Sequence, residues 1–463
     1  MTANTSLSLG GIVMIDKVEE EFGVFSSIFS DIGGRARDFE GCVRLHVYNR
    51  LTHSTSTHKI LDSYSEEVAR YCGLKGMPGE RSFYRTLERI GRCYPLIMHR
   101  YREIIKKHGL ADRNQLVDFS STYFEGDHAE LGEYGYSRDQ RPDKLQVNFG
   151  IATGINGIPT ALTIQKGNVQ DRKHMRKILK IIPKVIPHQS LLIFDAGANS
   201  ARNKAKIREL DYNYLTLKPK KVGSYERCIA YFIENVKAGN VTHLEMNGRH
   251  YSCVKRKEDG ETLYIFFCPE LFETHIKNKE KKFAREKQKG NMLLKRRKPL
   301  TIPSDAGWIE LIPHLQKTLE EIGNVYINGI EGFFILESSI DTDPEKILRL
   351  YKERDKAEKF IRALKEGIEL RPIRHWNKWT VIGIIFVCFL TNFLINLTLL
   401  SKKDSLVKNV KILKKFLINL TLTSVYPPNG FRFTLLSNVS PQILDIFGDF
   451  VWRFEDKSLP LRW

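Results

Sequence analysis

The chain has 463 residues, enough for two or three domains with sizeable cores, and an ordinary apolar fraction of 42%. Its 73 Lys and Arg against 54 Asp and Glu give a net charge of +19, which favours a polyanionic partner, nucleic acid first and an anionic membrane second. Seven scattered cysteines, odd in number and without a CxxC pair, argue against a zinc site or a disulfide framework and for reduced thiols in a cytosolic protein.

The N-terminus carries only a short apolar run, Gly11 to Ile15, broken by Asp16 and too short for a signal-peptide core. Residues 1–112 read as a mainly helical domain, a candidate DNA-binding module. Its clearest helix begins near Ser82, a plausible N-cap. Arg81, Arg85, Arg89 and Arg92 fall on one side of that helix, and Phe83, Leu87, Ile90 and Tyr94 on the other. The arginines form either a solvated face or a phosphate-contacting one, with Arg85 and Arg89 as DNA-contact candidates.

From Gln115 the pattern changes to strands. Leu116 to Phe119 is short and apolar around Asp118, which the pattern places at the strand end. Leu145 to Thr153 alternates, the Gly154-Ile155-Asn156-Gly157 stretch turns, and Pro159 to Gln165 alternates again, which predicts a hairpin. A helix is expected near 171–182. The apolar run Leu191 to Phe194 follows, ending in Asp195, and reads as a buried strand with its acid at the C-terminal end. A helix near 200–210 and a strand near 214–217 complete a mixed α/β block, residues 113–218.

Residues 219–324 break that rhythm and read as an insertion. Within it, Lys277 to Lys298 holds eleven Lys or Arg against Glu280 and Glu286, and reads as a solvated or disordered loop able to lie on DNA. The second part of the α/β core, residues 325–400, opens with the strand-like Gly332 to Glu337 and continues into one expected helix from Pro344 to Gly367. On that helix Tyr351, Arg354, Glu358 and Lys365 stand at offsets that fall within an arc of roughly 60°. A carboxylate flanked by cations on one face suits a site that holds a metal ion and a phosphate backbone. Leu350, Ala357, Ile361, Leu364 and Ile368 form an apolar stripe beside it. Thr380 to Leu400 is uncharged and long enough to span a bilayer, but a buried core helix has the same composition, and core is the favoured reading. Residues 401–463 read as a tail or helical extension.

Asp118, Asp195 and Glu358 thus fall on two strands and a helix. Each alone has an ordinary reading: a strand-end cap for either Asp, a helical ion pair with Arg354 or Arg362 for Glu358. Three carboxylates converging at the strand ends repel unless a cation is shared. Hard oxygen donors with open positions suit Mg²⁺ or Mn²⁺, and such ions can activate water or a 3′-hydroxyl in phosphodiester transfer.

The spacing Tyr351-x2-Arg354-x3-Glu358-x6-Lys365 resembles the Tyr-Arg-Glu-Lys signature of insertion-sequence DDE transposases, which have an RNase H-like catalytic core. The surrounding text agrees: VDFSSTYFEG at 117–126, GYSRDQRPDKLQVNFGIATGINGIPTALTIQKGN at 135–168, IFDAGANSARN at 193–203 and RPIRHW at 371–376. The resemblance runs from about 115 to 400, with an interruption like the family's insertion between the second Asp and the Glu. It implies an RNase H-like mixed sheet flanked by helices, with Asp118, Asp195 and Glu358 as the catalytic, metal-binding triad. Tyr351, Arg354 and Lys365 would grip the transposon-end backbone. It further implies Mg²⁺ or Mn²⁺, double-stranded DNA with terminal inverted repeats and a target, a homodimer in a synaptic complex, and a cytoplasmic, nucleoid-associated protein that does not enter a membrane. Ser120 stands where many relatives carry Thr, so a hydroxyl is kept. The N-terminal domain and the tail after residue 401 carry no motif that aligns with the family, which leaves DNA-end specificity open. The competing readings are an inactive transposon-derived DNA-binding protein, a metal-dependent nuclease that cuts without joining, and a membrane-associated protein anchored by 380–400.

Overall fold

A computed structural model describes residues 4–34, 38–295, 300–304, 307–311, 324, 326–400, 402, 409–426 and 432–456. The chain divides into two compact units. Unit 1 comprises Met1–Ile193, Ser200–Tyr212 and Glu353–Trp463, and unit 2 comprises Phe194–Asn199 and Asn213–Lys352. The described strands in chain order are β1 (Thr5–Ser8), β2 (Asn114–Tyr123), β3 (Gln146–Gly154), β4 (Pro159–Lys166), β5 (Leu191–Phe194), β6 (Asn213–Leu217), β7 (Thr242–Met246), β8 (Arg249–Glu258), β9 (Glu261–Phe267), β10 (Leu300–Ser304), β11 (Gly307–Leu311), β12 (Phe333–Ser338), β13 (Thr421–Val425) and β14 (Phe433–Ser437).

The sheet of unit 1 runs β4-β3-β2-β5. The hairpin expected from the sequence is present: β3 pairs antiparallel with β4 across the Gly154–Gly157 turn, and β2 pairs antiparallel with β3 in a register that sets Asp118 opposite Ile151. Strand β2 is longer than the apolar run suggested, so Asp118 lies mid-strand instead of at its end. Polar Ser120, Ser121 and Thr122 extend the pairing because they are themselves buried. The helices Asp171–Leu179 and Ala201–Glu209 follow their strands, the second capped by Ser200 Oγ accepting from the Asn203 amide at 3.2 Å.

The N-terminal helices do not form a separate domain. Lys378–Leu400 is nearly all buried in unit 1, packed against Glu80–Arg92, Phe39–Leu51 and Gly10–Phe22. By length and composition it could cross a bilayer, but its apolar surface is spent on these neighbours. Two glycines allow the closest approach: a Cβ at Gly383 would lie 2.1 Å from the Leu87 carbonyl oxygen, and one at Gly91 would lie 1.9 Å from that of Trp379. The helix containing the arginines begins at Glu80, two residues before Ser82, with Gly79 at the cap and no side-chain cap bond. Phe83, Leu87 and Ile90 are buried as the spacing predicts, while Tyr94 opens the next helix, Tyr94–Lys107.

The C-terminal segment is likewise integral, because β13 pairs with β1 on one edge and β14 on the other, in a three-stranded antiparallel sheet. Residues 401, 403–408, 427–431 and 457–463 of the expected tail lie outside the described residues.

Unit 2 holds an antiparallel sheet in the order β6-β12-β9-β8-β7. Strand β12, assigned from sequence to the second part of the core, pairs directly with β9 of the expected insertion, so 219–324 is not a separate body. Helix Val222–Lys237 covers one face through Tyr225, Cys228 and Phe232, which pack on Val254, Leu263, Ile265 and Ile335. The basic stretch is not a loop: Pro269–Lys295 is one helix, and residues 296–298 lie outside the described residues. The seven cysteines are free, six of them buried and Cys93 half-buried.

Candidate active site

Unit 1 brings two of the three predicted acids together. Asp118 projects from β2, and helix Asp355–Arg362, which carries Glu358, packs on β2 and β3 through buried Ala357, Phe360 and Ile361. The apolar stripe read from sequence is therefore the packing face. The helix is held from behind by Asn392, which is buried in Lys378–Leu400 and donates to the Phe360 carbonyl at 3.2 Å. Phe360 also meets Phe389 edge-on at 6.1 Å between ring centroids.

The Asp118 carboxyl is pushed up to about 6, first by burial and further by the negative charge of Glu358. Arg354, the amide of Phe119 and Arg138 pull it back down. The Phe119 amide donates to Asp118 Oδ1 at 2.9 Å, and Arg354 lies 2.6 Å from Glu358 Oε1. Arg138 is itself paired with Asp171 at 2.6 Å. A half-buried carboxylate that senses a second carboxylate and adjoining guanidinium groups is a place where a cation or a phosphate oxygen offsets charge at short range.

Asp195 belongs to unit 2. It follows β5 directly, in a turn where its Oδ1 accepts from the Ala196 amide at 2.7 Å. That turn is anchored by Asn199, which donates to Glu337 Oε2 at 2.7 Å and to the Leu217 carbonyl at 3.0 Å. Lys218 closes the cluster on Glu337 Oε1 at 2.6 Å. The sequence reading missed Glu337, Lys218 and Asn199. The only signal was an acid closing the apolar Gly332 to Glu337 run and an amide four residues past Asp195.

The expected single helix from Pro344 to Gly367 is two helices and a wide turn. Pro344–Lys352 lies in unit 2 with Tyr351, and Asp355–Arg362 lies in unit 1. Between them the chain tightens: the amides of Lys356 and Ala357 bond three residues back, to Glu353 and Arg354. After Arg362, Ala363–Gly367 is a π-turn, with the Ile368 amide bonding five residues back to Ala363. Arg354 and Glu358 keep a shared face as an i,i+4 ion pair, while the π-turn carries Lys365 away from it. Lys365 is turned inward and buried, 2.9 Å from Asp139 Oδ1.

On Glu80–Arg92, Arg85 is exposed, while Arg89 donates to the Ile32 carbonyl at 2.8 Å and Arg92 pairs with Glu88 at 2.7 Å. Among the described residues no three His, Cys, Asp or Glu side chains lie close enough together to hold a metal ion. Asp118 and Glu358 supply hard oxygen donors suited to Mg²⁺ or Mn²⁺, and the mutual repulsion felt at Asp118 is the feature a divalent cation relieves.

Comparison with known proteins gives the family. No curated protein matches the chain. The cryo-EM structure of a piggyBac transposase synaptic complex with hairpin DNA aligns over 90% of this chain and 82% of its own, at 10% identity and a TM-score of 0.41, too low to support any inference. The profile of the transposase DDE domain matches residues 111–391, which run from just before β2 well into the Lys378–Leu400 helix and so cover more than half of the chain. The chain belongs to the transposase DDE domain family.

Proposed function

We propose that the protein is an insertion-sequence transposase that cuts DNA at the element's terminal inverted repeats and joins the freed 3′-hydroxyl to target DNA. The observation that carries this reading is the placement of half-buried Asp118 beside Glu358 and Arg354, within a chain of the DDE transposase family. The Tyr-Arg-Glu-Lys spacing supports assignment to the insertion-sequence type.

In this reading Asp118 and Glu358, with Asp195 as the third acid, hold Mg²⁺ or Mn²⁺. When bound, the ion activates the attacking water or 3′-hydroxyl and stabilises the leaving oxygen. Asp118 takes part as the carboxylate, the charged form that would hold the ion. Arg354 exchanges part of its pairing with Glu358 for the scissile-strand phosphate, to which a guanidinium can donate two hydrogen bonds. Tyr351 contacts the same strand, and Arg85 and Arg89 contact flanking duplex. Two protomers hold two ends in a synaptic complex, acting on nucleoid DNA in the cytoplasm.

The test is strand transfer. Purified protein is mixed with DNA carrying the flanking inverted repeats, a plasmid target and Mg²⁺. Joined products are expected. Binding without cleavage supports the inactive DNA-binding reading, and cleavage without joining supports a nuclease.

A further inference from the structure

Asp139 is a buried acid that the proposed chemistry leaves unused. It lies in the loop between β2 and β3, its side chain 2% exposed, and its Oδ1 accepts from two cations, Lys365 Nζ at 2.9 Å and the Arg371 guanidinium at 2.6 Å. Its Oδ2 has no hydrogen-bond partner. Lys365 is as deeply placed, its side chain 8% exposed, and burial lowers its pKa. Arg371 also reaches Glu366 at 2.9 Å. All these groups lie in unit 1.

The loop pinned by Asp139 is the one that carries Arg138. It has other fastenings: Ser121 Oγ accepts from the Arg138 amide at 3.1 Å, Arg138 pairs with Asp171 at 2.6 Å, and buried Gln146 donates to the Arg141 and Lys144 carbonyls at 2.8 and 3.0 Å. Outside these anchors the loop presents Tyr134 and Tyr136, 63% and 81% exposed. A buried charge is tolerated only when paired, and removing one partner leaves the others uncompensated.

We propose that Lys365 is a positioning residue in this protein: with Arg371 it clamps Asp139 and so holds the 134–144 loop, and Arg138 with it, beside Asp118. It does not grip the DNA backbone. The proposal builds on the transposase reading for its consequence, but the clamp is an internal feature that can be measured without DNA.

Charge balance makes the test specific. Asp139→Asn leaves two cations facing each other below the surface. Lys365→Met leaves Asp139 still paired with Arg371. The double variant removes one acid and one cation together, and balance returns. Tryptic cleavage after Lys144 in the full-length chain reads loop opening. It is expected to rise by about tenfold in Asp139→Asn and less in Lys365→Met, and in the double variant to stay below the product of the two single effects. The second readout is the salt dependence of binding to end DNA. Loss of a phosphate contact lowers the log–log slope by about 1, so an unchanged slope is expected for Lys365→Met.

Single effects that simply multiply in the double variant overturn the clamp, because Asp139 and Lys365 then act independently. So does a slope that drops by about 1 in Lys365→Met, which assigns Lys365 to the DNA. If the wild type binds no end DNA, the transposase reading fails, while the proteolysis result still decides the clamp.

Discussion

The guanidinium of Arg354 lies 2.6 Å from Glu358 Oε1, and the same arginine is the strongest electrostatic influence lowering the pKa of Asp118. One cation thus sits against both unit 1 acids. Removing it raises the Asp118 pKa beyond its present value of about 6. For Arg354→Ala the titration profile of the Asp118 carboxyl, followed without divalent ion, is expected to move upward by on the order of one pH unit. Arg354→Lys should move it less. A profile that stays in place in the alanine variant means that Arg354 does not govern the ionisation of Asp118.

Acid should weaken unit 1 through its histidines. Burial holds His46 and His174 down to about 3 and His375 down to about 4, so all are neutral in the fold. The unfolded chain takes up protons below about 6.5 and the folded chain does not, so stability falls as pH drops from about 6.5 toward 4. Asp16 and Asp118, both raised to about 6, act with the opposite sign between about 6 and 4, because their folded forms bind the proton more tightly. The clean measurement is a difference between variants. His174 bonds Thr163 at 2.8 Å through Nε2, and His174→Gln should lose less stability than wild type between pH 7 and 5, by on the order of 1–2 kcal/mol. Parallel denaturation midpoints across that range would contradict this.

The crossing of Glu80–Arg92 with Lys378–Leu400 depends on glycine. Gly383→Ala places a Cβ 2.1 Å from a backbone oxygen that cannot swing aside, so the helices must separate. The expected cost is roughly 1–3 kcal/mol or more, read as a fall in thermal midpoint. Alanine favours a helix over glycine by about 1 kcal/mol, so an increase in stability would mean that the two helices do not approach this closely.

Asn392 tests the support behind the proposed site. Asn392→Leu removes the donor to the Phe360 carbonyl inside the core, which should destabilise by roughly 1–3 kcal/mol and slow cleavage by loosening the helix that carries Glu358. Full cleavage rate in a destabilised variant would separate stability from positioning.

Much of this was legible in the residues. The β3–β4 hairpin has strict alternation around a Gly-rich turn, and β5 is an apolar run stopped by Asp195, so local pattern sufficed. The apolar Thr380 to Leu400 segment was read as core, and its burial follows from the matching apolar faces of the N-terminal helices. Local pattern failed where distant residues decide. Leu7 pairs with Leu422, which no window of sequence contains, and so the tail looked independent. The tightened turn at Glu353–Arg354 has no Pro or Gly to announce it, and the π-turn Ala363–Gly367 carries its glycine only at its end, so ideal periodicity placed Lys365 on the Glu358 face. Asp139 looked like one polar residue among several in Gly135 to Lys144 until its two cations were placed.

The most direct test of the central claim is Mg²⁺-dependent cleavage of DNA carrying the element's inverted repeats, compared between wild type and Glu358→Gln. The substitution keeps shape and removes charge. The account predicts end-specific cleavage by the wild type and a loss of at least about a hundredfold in the variant, with DNA binding retained. Cleavage by Glu358→Gln at the wild-type rate would contradict it, because Glu358 would then have no part in the chemistry.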